Sequence, residues 1–150
     1  MPKFVKKDVA HYTPEQKEQL KKVVIAVSAE ARLKSQAGSD QQDLAVIAEG
    51  RSLLRDSLKC TECHQFHAPD PDASAPDLTG YGSRDWMIRF VSNPGHADFY
   101  GDSNDRMPAF GEKQILSPQA IGLIADWLRG DWYEANMQQT PSPASAQTAN

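Results

Sequence analysis

Cys60-Thr61-Glu62-Cys63-His64 contains both cysteines of the 150-residue chain, and the reading of this stretch decides the fold. Two thiols at this spacing lie about one helical turn apart, with an imidazole at the next position. A thiol pair of this kind serves as a redox disulfide when it sits in a βαβ unit, but no segment of the chain alternates in the manner of a strand. A zinc site built from Cys60, Cys63, His64 and His67 would need a much longer run between its cysteine pair and its histidine pair. A domain stapled by disulfides would need more cysteines. The chemistry that uses all three groups at once is covalent haem attachment, whose pattern is C-x-x-C-H.

One turn of helix brings Cys60 and Cys63 within reach of the two vinyl groups on one porphyrin edge, and His64 then faces the iron as an axial ligand. A second ligand is expected from the opposite side. Met87 falls on the apolar face of a helix, Met137 at the edge of a polar tail, and His11 far upstream. His67 is too close to His64 along the chain to reach the other face of the same iron. Met107 lies in Asn104-Asp105-Arg106-Met107-Pro108-Ala109-Phe110-Gly111, a loop between two helices that Pro108 stiffens. Met107 is therefore the expected partner of His64, with His96 in Asn93-Pro94-Gly95-His96 as the runner-up. A Met/His pair raises the reduction potential relative to two histidines.

Outward from this motif the pattern is helical. Thr13 can cap a helix over 13–36, with Pro14 at its first position, Glu15 in its first turn and a stripe of Leu20, Val23, Val24, Val27 and Ala31. Gly38-Ser39-Asp40 reads as a stop and a fresh cap for a second helix from about Gln41 to Leu58, striped by Leu44, Ile47, Leu54 and Leu58. Gly50 inside that helix costs roughly 1 kcal/mol against alanine, which implies close contact with another backbone. Residues 65–82 are rich in Pro, Asp, Ala and Gly and read as loop. A helix from Ser83 presents Trp86, Met87, Phe90 and Val91 and stops at Asn93-Pro94-Gly95. Residues 95–116 are again loop. Ser117-Pro118 opens a last helix with Ile121, Ile124, Ala125 and Leu128 on one face, Trp127 beside them, and Gly130 at its end. From Gln138 the composition is that of a disordered tail. The fold class is all-α with long loops.

In this order of elements the chain resembles the class I monohaem cytochromes c, from about Gly50 to Tyr133. The resemblance rests on Gly50 ahead of the haem motif, then Pro76-Asp77-Leu78-Thr79-Gly80, the Trp86 to Asn93-Pro94 helix, Arg106-Met107-Pro108, and a closing Asp126-Trp127-Leu128. It implies the class I cytochrome c fold over 50–137, with a helical extension over 1–49 and a disordered tail over 138–150. It implies further that the first and last helices of the 50–137 domain cross at Gly50, and that the Pro76 carbonyl accepts a hydrogen bond from the His64 ring. The run from Gly50 to Cys60 is longer than usual for the family, and residues 1–49 have no counterpart in a minimal member. Tyr81-Gly82-Ser83-Arg84-Asp85-Trp86 and Phe99-Tyr100-Gly101 are similar to cytochrome c domains attached to membrane-bound cytochrome b complexes of the bc type. Further haem-binding candidates are Tyr81, Arg84, Trp86 and Asn104, whose polar atoms could meet the propionates or the Met107 sulfur. Trp86 reads equally well as core, and Arg84 as a solvated residue at a helix start.

Composition agrees with a large apolar group at the centre. Hydrophobic residues are 39% and aromatics 8%, lean for this length, and a porphyrin can replace several side chains. The net charge of −4 excludes nucleic acid as a main partner. No apolar run is longer than Val23-Val24-Ile25-Ala26-Val27, which is far short of the roughly 20 residues that span a bilayer. Residues 1–59 carry 11 basic and 8 acidic side chains, and the remainder 5 and 12. Asp70, Asp72, Asp98, Asp102 and Asp105 fall in the loops flanking the expected haem, where they are either plain solvated surface or a means of steering a basic partner. The expected activity is electron transfer, as a carrier rather than an enzyme, between a donor and an acceptor protein within or next to a respiratory chain complex. A haem enzyme or gas sensor would need a labile sixth ligand. The resemblance implies an extracytoplasmic, periplasmic-side location, and a chain that starts at Met-Pro-Lys-Phe is then expected to be a fragment of a membrane-anchored protein or one separated from its leader.

Overall fold

Thr13 starts the first long helix as its sequence dictates. Its hydroxyl accepts from Gln16 N–H at 3.2 Å, and the Gln16 side chain accepts from Thr13 N–H at 2.9 Å. This capping box satisfies two otherwise orphaned donors. In the computed structural model, which describes residues 6–131, the helix α1 runs Pro14–Ala29. It does not continue to residue 36. Arg32 takes a left-handed backbone, φ 52°, and Lys34–Gln36 forms a separate short turn. Two further helices follow, α2 Ala37–Gln42 and α3 Leu44–Asp56.

Gly38-Ser39-Asp40 is thus inside a short helix rather than a stop and cap. Ser39 donates back to Gln36 O at 2.9 Å, and Asp43 N–H closes on Ser39 O at 2.9 Å, which puts the break at Asp43. The other expected helices form where the capping residues place them. Ser83 caps α4 Arg84–Ser92 by accepting from Trp86 N–H, and Ser117 caps α5 Pro118–Leu128 by accepting from Ala120 N–H. Gly130, φ 74°, ends α5. Among the described residues there is no strand; His64 and Ala75 form one isolated parallel bridge. The 138–150 tail and Met137 lie outside the described residues.

The main helix pairing joins α1 to α3, and α5 packs chiefly on α4. Gly50 explains the first pairing. A Cβ there would lie 2.2 Å from Lys22 O and 2.8 Å from the Ala26 side chain. The close approach is therefore made to α1, and no comparable packing joins α3 to the closing helix α5. The boundary drawn between residues 49 and 50 also falls within the single helix α3. Val23, Leu54 and Phe66 form a buried cluster, edged by Val27, Leu53, Leu58, Cys60 and Leu78. A second cluster centres on Trp86, which stacks on Phe90 at 5.2 Å and meets Phe99 edge-on at 5.1 Å.

Some stripe residues face outward instead. Val24 on α1, Leu44 on α3, and Trp127 and Leu128 on α5 are exposed, while Ala26 is fully buried. The buried faces are narrower than the sequence stripes because each helix packs mainly on one neighbour.

Candidate functional site

Cys60–Glu62 is a single 3₁₀ turn, entered through Lys59 in a left-handed conformation. Cys63 N–H and His64 N–H both donate to Cys60 O, at 3.2 and 3.0 Å, which winds the motif tightly. Both cysteines are free thiols, Cys60 half-buried against the Val23–Leu54–Phe66 cluster and Cys63 exposed. Burial pushes the Cys60 thiol above its ordinary value, so it is protonated at neutral pH. His64 is half-buried, and its Nδ1 lies 2.6 Å from Pro76 O. With a carbonyl as partner, Nδ1 is the donor, and in the neutral ring Nε2 is the nitrogen with the lone pair. Among the described residues Nε2 has no hydrogen-bond partner.

Pro76 is placed by the loop around it. Ser74 and Ala75 N–H donate to Cys63 O, Leu78 N–H to Gln65 O and Asp77 N–H to Asp98 O. Residues 64–67 and 75–80 thus lie side by side.

Met107 is half-buried on its loop. Asn104 brackets it, donating from Nδ2 to Met107 O at 2.8 Å and accepting from Met107 N–H at 3.3 Å. Asn104 thus holds the Met107 backbone rather than its sulfur. Downstream the loop is tied to the end of α4, where Gly111 N–H donates to Ser92 O and a Cβ at Gly111 would meet the Ser92 side chain at 2.8 Å.

The remaining candidates have structural partners. Trp86 is buried and donates its indole N–H to Asp77 O at 3.1 Å, so its one polar atom is used inside the fold. Tyr81 is partly exposed and packs edge-on against Trp86 at 4.9 Å. Arg84 makes a two-pronged contact with Asp126 of α5, at 2.6 and 3.1 Å. Hydrogen bonding by Arg84 holds the Asp126 carboxyl below its usual range. His96 is exposed, and its Nδ1 accepts from Asp98 N–H. Asp98 also pairs with Arg89 at 2.8 Å, so it braces its own loop. Asp70 accepts from Asp72 N–H within a turn, whereas Asp72, Asp102 and Asp105 are exposed.

Two residues that matter were not evident as site residues. Glu30, just past α1, is 3% exposed and receives Arg51, His67 and Gly80. His67 therefore faces Glu30, and among the described residues no three His, Cys, Asp or Glu side chains gather as a metal site. Arg129 is the other. Its guanidinium donates to Ala31 O at 2.7 Å, Gly82 O at 2.6 Å and Arg32 O at 3.3 Å, joining the end of α5 to the turn after α1. The helical register carried one signal for Glu30: it continues the buried positions Val23 and Ala26.

The donor set fits a c-type haem in its chemistry: two free thiols on one turn, an imidazole with its second nitrogen open, and a thioether on a braced loop. Among the described residues no helix is long and apolar enough to cross a membrane. Comparison with protein-family models, with curated proteins and with solved structures finds no match to this chain.

Proposed function

We propose that the chain is an electron-transfer protein carrying one covalent c-type haem, with the fold of a class I cytochrome c enlarged by its N-terminal helix. The observation that supports this best is His64. Its Nδ1 is committed to Pro76 O at 2.6 Å, as in a metal-ligating histidine, while Nε2 is left open on the residue that follows two free thiols in sequence. Bound there, haem supplies a one-electron iron couple. Cys60 and Cys63 would hold it by thioether bonds, and His64 and Met107 would be the side chains that ligate its iron. Pro76 fixes the tautomer and plane of the imidazole and raises its basicity. Asn104 restrains the Met107 backbone, so little rearrangement accompanies a change of charge. Tyr81, Arg84 and Trp86 shape the fold around α4. Donor and acceptor are redox proteins, with a membrane-bound cytochrome b subunit of a respiratory complex as one of them, on the periplasmic side.

The test is the visible spectrum of the full chain and of Met107→Ala. The full chain is expected to be low-spin in both oxidation states, with a weak sulfur-to-iron band near the red end in the ferric form. In Met107→Ala that band disappears and the potential falls, because the Met/His pair is lost. Rapid carbon monoxide binding by the unmutated ferrous protein would overturn the assignment in favour of a haem enzyme or gas sensor.

A further inference from the structure

Glu30 is a charged residue buried within the fold, and haem attachment itself does not require it. Its Oε1 accepts from Arg51 Nη2 at 2.8 Å and stands 3.1 Å from His67 Nε2, while Oε2 accepts from Gly80 N–H at 3.0 Å. His67 and Gly80 are the ends of two runs that lie side by side. These runs, 64–67 and 75–80, are joined by the His64–Ala75 bridge, by Leu78 N–H to Gln65 O at 3.0 Å, and by His67 N–H to Thr79 Oγ1 at 2.8 Å. The same pairing sets Pro76 O against His64 Nδ1. The His67 end needs holding, since a residue with a Cβ sits there at φ 54°, whereas Gly80 takes its φ of 63° freely.

We propose that Glu30 is a positioning residue for His64: from the end of α1 it clamps the two runs together and so fixes the Pro76 carbonyl against the imidazole. This inference rests on the haem assignment, because the basicity of His64 matters only for an axial ligand. A carboxylate suits the task, since both of its oxygens accept. A glutamine offers one acceptor and turns an NH₂ group toward donors. Burial pushes the Glu30 carboxyl up, but hydrogen bonds from His67, Gly80 and Arg51 outweigh it and hold the group below its ordinary 4.5. The contribution to stability is therefore present above the ordinary glutamate range and is lost as the pH falls through the depressed value.

The experiment compares the full chain with Glu30→Gln, His67→Gln and, as a control, Glu49→Gln, which loses only an exposed pair with Lys22. In the full chain as isolated, amide exchange at Leu78 and Gly80 is expected to be about tenfold faster in Glu30→Gln. In the haem-loaded chain the reduction potential shifts upward, because a weaker Nδ1–H···O bond makes His64 a poorer donor to ferric iron. His67→Gln, whose parent side chain is 44% exposed, shifts both in the same direction by less and decides the matter if Glu30→Gln does not fold. Glu49→Gln shifts neither. Unchanged exchange overturns the proposal, and so does a lowered melting temperature with an unchanged potential. A chain that takes no haem defeats the functional assignment instead, and the exchange rates still decide the role of Glu30.

Discussion

A chain lacking residues 1–38 is expected not to fold cooperatively. The deletion removes α1, and with it Val23 and Ala26 from the core and the carboxylate of Glu30. Leu54 and Phe66, 0% and 2% exposed in the intact chain, then face water on the side that α1 covered. Burial of a large apolar side chain contributes about 1.5–3 kcal/mol, so the cluster of Val23, Leu54 and Phe66 represents roughly 5–9 kcal/mol. A domain of this size has about 5–15 kcal/mol in all. Arg129 also loses the carbonyls of Ala31 and Arg32, since the turn that presents them is deleted. Circular dichroism during thermal unfolding checks the expectation: a broad, sloping trace replaces a sigmoid. An unchanged melting point would mean that α1 is a contact for another subunit and not part of this core.

Gly50→Ala is expected to destabilise the chain by roughly 2–3 kcal/mol, although alanine is the better helix former. The sign follows from what the new methyl group meets. Lys22 O, at 2.2 Å from the added Cβ, is backbone and cannot rotate aside. α1 and α3 must separate along their main contact, which loosens Val23 against Leu54. Denaturant titration reads the effect as a lower midpoint with little change of slope. Gly38→Ala serves as the control, because a Cβ there meets nothing within 4 Å.

The capping residues were the most legible part of the sequence. Thr13-Pro14, Ser83 and Ser117-Pro118 each start a helix where local chemistry puts it, because a hydroxyl accepting from the third residue onward needs no distant partner. The ends of helices were less legible. α1 stops at Ala29 because the N–H groups of Glu30, Ala31 and Arg32 close on carbonyls three residues back, Arg32 turns left-handed, and the Ala31 and Arg32 carbonyls are taken by Arg129 from the far end of the chain. No local pattern encodes that. Gly50 marks a site of close approach in the sequence, yet a glycine does not name its partner, and the partner is α1. At the site, the spacing of Cys60, Cys63 and His64 carries its own chemistry, and the contact of His64 with Pro76 lies where the family resemblance implied it. Arg84 and Trp86 were harder, since one side chain can serve a ligand or the fold. Asp126 and the Asp77 carbonyl, which engage them, are brought near only by tertiary packing.

Intact mass spectrometry tests the central assignment most directly. The full chain, produced in cells with extracytoplasmic haem-attachment machinery, is expected to gain the mass of one haem and to keep it through acid and organic solvent. Replacing Cys60 and Cys63 together by alanine is expected to return the bare polypeptide mass. A bare mass for the unmutated chain, from cells that load haem onto a control protein with the same motif, would contradict it.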